Sequence, residues 1–295
     1  MGRKALATGA VCVALVGSLS EAKADPWATP SGLYGGGLGM KPYQSARIWA
    51  DVAFFTRGES TRTVAPNLVA TSPGVTLFSP IFGFGVFLGS HAELEAILPV
   101  GTQIADNGGT GIGNPYAGVS YVMDGPKVRL KVGGGIAFPV VDLENGDQLK
   151  GVSAGLAPRA FQTAWLWAPD SVGLVVPFHI EAPLGTPVLF IGDATPYVLV
   201  PVRNNHETNM YMELSPGFGG YVSDDVVLGL RVPMFFRLTN GGGDEDQVSL
   251  EPFVRYASNP FFFSVRFTMP IDEPLGFAFD TGKFWGLHVG LGGGF

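Results

Sequence analysis

The chain has 295 residues, of which 46% are hydrophobic and only 15% are charged, and its formal net charge is −7. A soluble domain has roughly 25% charged residues. A helical membrane protein has runs of about 20 apolar residues, which are absent beyond residue 24. The negative charge argues against a nucleic-acid partner. This profile favours a protein that is apolar only at alternate residues.

The first 24 residues have the parts of a secretory signal peptide. Arg3 and Lys4 precede an apolar run over residues 5–17, and Ala22-Lys23-Ala24 forms a small-x-small cleavage site. The only cysteine, Cys12, lies in this segment. We therefore expect a mature chain of about 270 residues without thiols or disulfides.

Residues 25–44 are rich in Gly and Pro and lack a period, and we interpret them as a periplasmic lead-in to a barrel domain over residues 45–295. From residue 45 onward, apolar residues recur at every second position, which is the side-chain period of a β-strand. The clearest case is 127–140, where apolar residues at even positions oppose three basic residues at odd positions. The predicted strands are 45–57, 75–88, 92–100, 114–123, 127–140, 172–182, 188–202, 209–222, 226–238, 248–257, 261–271 and 284–295.

Residues 159–168 also have strand-like composition, but counting them would give thirteen strands. A bacterial up-and-down barrel with both termini in the periplasm has an even number. Pro158 suits the first position of a helix and Pro169 would end it, so we predict a short helix at 158–168 inside a long external loop, 141–171. The predicted fold is an all-β, twelve-stranded transmembrane antiparallel barrel. A fourteen-stranded barrel is the alternative, with 159–168 paired as a strand and another strand near 30–44 or 183–200.

The last strand alternates apolar residues from Trp285 to Phe295, with an aromatic residue at each end. The two water–lipid boundaries of a bilayer favour this placement of aromatic residues. The segment resembles the closing strand of bacterial outer-membrane β-barrels, although Gly293 stands where a larger apolar residue is usual. The resemblance implies that the barrel-assembly machinery is a partner and reads Phe295.

Further short motifs lie at Leu98-Pro99-Val100, at 111–115 and in the turn after Met123. Together with the closing strand, they resemble the outer-membrane channel family associated with the aromatic meta-cleavage pathways. This resemblance implies a barrel of about twelve strands and uptake of hydrophobic or aromatic compounds. It names neither a substrate nor a binding residue.

The face opposite the apolar one carries most of the Lys and Arg residues of the mature chain, which a soluble sandwich would not show because its second face packs against another sheet. We expect this face to line a lumen and a solute path. Its near-balance of charge favours an internal network of ion pairs over a basic, anion-attracting filter. The candidate residues are Arg47, Asp51, Glu93, Glu95, Lys127, Arg129, Lys131, Glu213, Arg231, Glu251, Arg255, Arg266 and His288.

Three aromatic residues of the external loop, Phe161, Trp165 and Trp167, are candidates for a constriction if the loop folds into the mouth; packing on the rim is the alternative. Apolar residues also point inward. A narrow lumen that mixes aromatic and charged groups suits a small amphipathic or aromatic solute, or no solute at all.

Enzymatic chemistry has little support. An outer-membrane lipid hydrolase needs a Ser–His pair on the lipid face. By alternation His179 and His288 point inward, while His91 and His206 fall in a turn and a loop. No two histidines have metal-ligand spacing. We therefore predict no metal and no cofactor.

The sequence thus predicts a multi-pass barrel in the bacterial outer membrane that contacts lipid and lipopolysaccharide and passes small solutes passively. The alternative is a structural or surface-interaction barrel with a plugged interior, whose loops 58–74 and 141–171 meet partners. A lipid hydrolase is a minor alternative.

Overall fold

The structure, a computed structural model, describes residues 46–294 except 58–59, 66–67, 73, 90, 125–127, 143, 186, 204–206, 224, 240–245, 259–260, 273–274 and 276–284. The predicted signal peptide, the periplasmic lead-in, Lys127 and Phe295 lie outside the described residues.

The described part of the chain is dominated by strands and contains one α-helix. The strands are β1 (Ala46–Arg57), β2 (Ser60–Ala65), β3 (Leu68–Ser72), β4 (Val75–Leu88), β5 (Ala92–Ile104), β6 (Gly109–Ile112), β7 (Tyr116–Asp124), β8 (Arg129–Ala137), β9 (Ser171–Val175), β10 (Phe178–Gly185), β11 (Val188–Pro201), β12 (Asn209–Ser223), β13 (Val226–Arg231), β14 (Met234–Arg237), β15 (Gln247–Ser258), β16 (Phe261–Pro270) and β17 (Gly286–Gly294). The helix is α1 (Gly146–Leu156).

All of these strands except β2 and β3, which form a separate two-stranded sheet, build a closed antiparallel barrel. The barrel has twelve staves, each of which is one continuous strand or one interrupted strand. Each neighbouring pair is antiparallel, and β1 closes the barrel on β17 with Arg47 opposite Gly294. Three staves are interrupted, β6–β7 by Pro115, β9–β10 by Pro177 and β13–β14 by Pro233. Each break lies at a proline, which has no N–H to donate to the ladder. The predicted twelve-stranded barrel is confirmed, and the fourteen-stranded alternative is wrong.

The outer surface of the barrel is apolar because the alternation runs through every stave. Phe82, Leu94 and Val119 are each about half exposed on three successive staves. The residues between them on the same strands are mostly buried inside. A closed barrel pairs its backbone groups between strands, so no edge is left unpaired in lipid. This surface is that of a membrane-spanning barrel.

The predicted short helix in loop 141–171 is confirmed, but it begins and ends earlier than 158–168. The side chain of Asn145 caps α1 by accepting hydrogen bonds from the backbone N–H groups of Asp147 and Gln148. Beyond α1 the backbone takes positive φ at Ala160, Phe161 and Thr163, which a right-handed helix cannot accommodate. Only 3₁₀ turns remain there, at 157–159 and 164–166. Among the described residues, no helix is long and apolar enough to cross a membrane.

Replacing a lipid-facing residue near mid-strand with a charge should destabilise the barrel. Phe82 is 48% exposed near the middle of β4. Phe82→Arg should lower the free energy of unfolding in lipid vesicles by about 2–4 kcal/mol, measured by urea titration. Ile104→Arg, at the end of β5, should cost only about 0–1 kcal/mol. Equal effects at the two positions would contradict the proposed membrane orientation.

Candidate functional site: a lumen closed by an inserted loop

The inner wall carries the charged residues that the sequence predicted for it. The structure places Arg47, Asp51, Glu93, Glu95, Arg129, Lys131, Glu213, Arg231, Glu251, Arg255, Arg266 and His288 inside the barrel, all of them buried. None of these residues is more than 8% exposed. Whether they form a solute path stays a prediction.

One ion-pair cluster joins the staves β1, β5 and β8. Arg47 lies 2.5 Å from Glu93 and 3.1 Å from Glu95, measured between side-chain nitrogen and oxygen atoms. Lys131 contacts the same two carboxylates from the other side, at 3.2 Å each. Two cations and two carboxylates therefore neutralise each other, as buried charges must.

A second cluster runs around the rest of the wall, from β10 to β1. Glu181 contacts Arg255 at 2.9 Å, and His179 links Glu181 to Asp193. The chain of contacts continues in the following list of pairs: Asp193 with Arg231 at 3.0 Å, Arg231 with Glu251 at 3.3 Å, Glu251 with Arg266 at 3.7 Å, and Arg266 with Asp51 at 2.6 Å. The predicted charges thus form paired networks, which is the arrangement that their near-balance favoured.

The loop after β8 enters the barrel, and its residues 157–168 form what we call the plug segment. Trp165 and Trp167 are each 1% exposed, and the ring of Trp165 packs edge-on against wall residue Tyr116 at 5.0 Å between centroids. Phe161 packs against Phe235 at 5.7 Å. All three candidate constriction residues therefore lie against other groups in the barrel interior, and their effect on solute passage stays a prediction. Between Trp165 and the wall there is room for about one water molecule.

Glycine allows helix α1 to approach the wall at backbone distance. A Cβ atom at Gly101 would lie 2.0 Å from the carbonyl oxygen of Gly151, and one at Gly151 would lie 2.3 Å from the backbone nitrogen of Gly111. Side chains at these three positions would separate the helix from β5 and β6. The plug segment, which follows the helix directly, would then be displaced.

Arg159 anchors one end of the plug segment. Its side chain is fully buried and forms an ion pair with Asp51. It also donates hydrogen bonds to the backbone oxygens of Asp51 and Ser79, at 3.0 and 2.7 Å. Next to it, the carbonyl oxygen of Pro158 lies 3.1 Å from Nε2 of His288. The loop therefore supplies a cation to the second wall cluster.

Glu213 anchors the other end. Its two carboxylate oxygens accept hydrogen bonds from the backbone N–H groups of Thr163 and Ala164, at 2.9 and 3.1 Å. Glu213 is 2% exposed. The wall thus binds the plug segment through its backbone here.

Asn114 fastens both ends of the loop to the wall. Its Oδ1 atom accepts hydrogen bonds from the backbone N–H groups of Val140 and Val141, at 3.0 and 3.2 Å. Its Nδ2 atom donates to the carbonyl oxygen of Ala168 at 2.6 Å. A single buried side chain therefore holds the points where the loop enters and leaves the lumen.

The rim above the loop is held by Arg203, which contacts Asp142 at 3.1 Å and Asp170 at 3.3 Å. The backbone N–H of Glu144 and the Arg203 guanidinium lower the pKa of the Asp142 carboxyl. Because this pKa is depressed, the ion pair between Arg203 and Asp142 is fully formed at pH values above the ordinary carboxyl pKa. It is lost as pH falls through the lowered pKa.

The described histidines have structural partners. His91 contacts the backbone oxygen of Val122, His179 contacts Asp193, and His288 contacts Thr268 at 3.2 Å. His206 lies outside the described residues. In the described part of the chain, no group of three or more His, Cys, Asp or Glu side chains is placed to hold a metal ion.

Sequence analysis missed Arg159 and Asn114 and did not foresee that Glu213 would bind the plug segment. Arg159 had a signal, because it is the single charge in the apolar stretch 151–168. Asn114 had none beyond its place between Gly113 and Pro115. The partner of Glu213 is backbone, which leaves no trace in residue identity.

No family model matches the chain, and no curated protein matches it in sequence. Among solved structures, it is similar to an outer membrane channel from Pseudomonas putida F1, with 12% identity and a TM-score of 0.55, covering 85% of this chain and 96% of that one. The NanC porin covers 83% of this chain at 5% identity and a TM-score of 0.49, over 98% of its own length. The closed barrel and the similarity to the Pseudomonas putida channel together show that the chain has the fold of a bacterial outer-membrane β-barrel.

Loss of the Asn114 side chain should loosen the loop. Asn114→Ala leaves the buried N–H of Val141, the part-buried N–H of Val140 and the carbonyl of Ala168 without this partner, at a cost of about 1–3 kcal/mol for each buried group. Trypsin should then cleave the folded barrel after Arg159, as detected by mass spectrometry, whereas the wild type stays protected. Asn209→Ala is the control, since its described side-chain contacts are with Glu207, Arg237 and Thr239. Continued protection in Asn114→Ala would contradict its fastening role.

Proposed function

We propose that this chain is an outer-membrane channel for the passive passage of small solutes, and that loop 141–171 is its gate. The observation that carries the proposal is that the plug segment, rather than the wall alone, occupies the lumen. The fold shared with an outer membrane channel supports a channel role.

The width of the barrel supports this role. About eight strands give an interior that wall side chains can fill, and sixteen to eighteen leave an aqueous channel. Twelve lie between these cases. Here the space left by the wall is taken by the bulky residues Phe161, Trp165 and Trp167 of the plug segment. Withdrawal of that segment would leave a path through the barrel.

The backbone of the plug segment supports reversible docking. Ala160, Phe161 and Thr163 are non-glycine residues with φ of 48°, 63° and 62°. Each residue in such a conformation costs on the order of 1–3 kcal/mol, which the contacts of Arg159 and Glu213 offset. Release of this strain favours withdrawal, so the closed and open states differ by less than the contacts alone imply.

The lining of the lumen supports small amphipathic or aromatic solutes. Apart from Glu213, the wall carboxylates are paired with wall cations, so they offer little net field to a free ion. Aromatic rings of Tyr197, Tyr211 and Phe235 stack along one side of the interior. A flat solute would find surface to pack on after withdrawal of the plug segment.

A second candidate is a structural barrel with a permanent plug. The observation that favours it is the near-complete burial of the interior, where Arg159 is 0% exposed and Trp165 is 1% exposed. A plug that never leaves would give the same static arrangement.

Single-channel recording of the refolded mature chain in a planar bilayer tests both candidates. A variant in which residues 157–168 are replaced by a Gly-Ser linker of equal length should show a steady open current, and the wild type should show infrequent openings of similar size. Leu149→Ser, an exposed position of α1 in the same loop, is the control and should behave as wild type.

Current in the linker variant with a wild type that stays silent at every voltage would favour the permanent plug. The absence of current in both the wild type and the linker variant would overturn the channel proposal, provided that a heat-modifiable gel shift shows that both barrels are folded.

A further inference from the structure

Glu213 differs from the other buried carboxylates of the wall. Asp51, Glu93, Glu181 and Glu251 each have a Lys or Arg nitrogen within 4 Å. Among the described residues, no Lys, Arg or His side chain lies within that distance of Glu213. A buried carboxylate without a cation is costly, so it needs a compensating partner.

In the closed lumen, Glu213 accepts hydrogen bonds from a fork of two backbone N–H groups. Thr163 donates to Oε2 of Glu213 and Ala164 donates to Oε1, at 2.9 and 3.1 Å. One donor on each oxygen is the geometry in which amidinium and guanidinium groups bind a carboxylate, and those groups add the positive charge that the backbone lacks. A solute of this kind would replace both hydrogen bonds and neutralise Glu213.

A row of aromatic rings lies beside this carboxylate. Tyr211 is two residues before Glu213 on the inner face of β12, and Phe235 on β14 is the register partner of Glu213. The ring centroids of Tyr197 and Tyr211 lie 5.3 Å apart and those of Tyr211 and Phe235 lie 5.5 Å apart, with planes within 24° of parallel. We call these three residues the aromatic row.

The plug segment supplies a fourth ring to the aromatic row. Phe161 lies 5.7 Å from Phe235 with an interplanar angle of 30°, two residues before the N–H fork at Thr163. One short segment of the loop thus presents a flat ring and, next to it, a pair of N–H donors. These are the two groups that a flat cationic ligand would bring to the same wall.

We propose that Glu213 and the aromatic row form a binding site for a flat solute that carries an amidinium or guanidinium group, and that the plug segment occupies this site in the closed lumen. The proposal rests on the channel function, because the solute reaches Glu213 only after the loop withdraws. The solute and the plug segment compete for one site, so binding of the solute shifts the population toward the open lumen.

Benzamidine is the probe, since it joins one ring to one amidinium. Titration calorimetry with the refolded mature chain in detergent should show binding of benzamidine that is at least about tenfold tighter than binding of benzamide, its neutral counterpart, because a charge-assisted bidentate contact is lost. Methylguanidine, which has a guanidinium group but no aromatic ring, should also bind more weakly than benzamidine.

Glu213→Gln should reduce benzamidine affinity by at least about tenfold, and Tyr211→Leu should reduce it without changing the preference over benzamide. Phe161→Ala should raise the affinity, because it removes the ring that competes for the aromatic row. Glu207→Gln is the matched control, as it makes the same chemical change at an exposed loop residue and should leave affinity unchanged. Equal binding of benzamidine and benzamide by the wild type would overturn the proposal, and that comparison needs no variant.

The binding measurement separates this site from the channel. The Gly-Ser linker variant should bind benzamidine more tightly than the wild type, because the competitor has been removed. Binding by that variant without any current would preserve the Glu213 site and sink the channel. A steady current without selective benzamidine binding would preserve the channel and overturn the Glu213 site.

Discussion

The need to pair every charge inside a lipid-embedded barrel determines most of this structure. Alternation places one side chain of every two in lipid, so nearly all Lys, Arg, Asp and Glu residues of the strands must face inward. The interior is poorly hydrated, since wall charges such as Arg47, Glu93 and Glu251 are at most 2% exposed. Isolated charges would be costly there, and ion pairs across neighbouring staves offset that cost.

The inserted loop takes part in this pairing. Asp51 is contacted by Arg266 from the wall and by Arg159 from the loop. Glu213, which has no cation among the described residues, receives two backbone N–H groups from the plug segment. The loop therefore satisfies part of the binding capacity of the wall in the closed state.

The fold was predictable because it depends on two regularities. Side chains alternate along each strand with a period of two, and the number of strands in the barrel is even. Alternation along segments such as 92–100 and 226–238 reports which face meets lipid, and an even strand number excluded 159–168 as a stave. The bounds of the helix were not predictable. Pro158 is compatible with a helix start, but the actual helix begins at Gly146 under the Asn145 cap and is seated on Gly101 and Gly111, far away in sequence.

The sequence predicted which residues face the lumen, but it did not predict which of them contact one another or the loop. Charge on alternate positions placed Glu213 and Arg266 inside together. Which wall charge pairs with which depends on stave register, and the anchoring of the loop depends on backbone N–H groups and on Asn114. Such contacts are three-dimensional consequences of the loop entering the barrel, and the residue pattern records them weakly.

Cross-linking the plug segment to the wall tests the central claim most directly, because the mature chain predicted from the sequence has no native thiol. In the double variant Phe161→Cys/Phe235→Cys, a short reducible cross-linker would hold the plug segment in place, where the two native rings lie 5.7 Å apart. The account predicts no current while the link is intact and a current in the same bilayer after reduction. A current of equal size before and after reduction would show that solutes pass without movement of the plug segment, and would contradict the account.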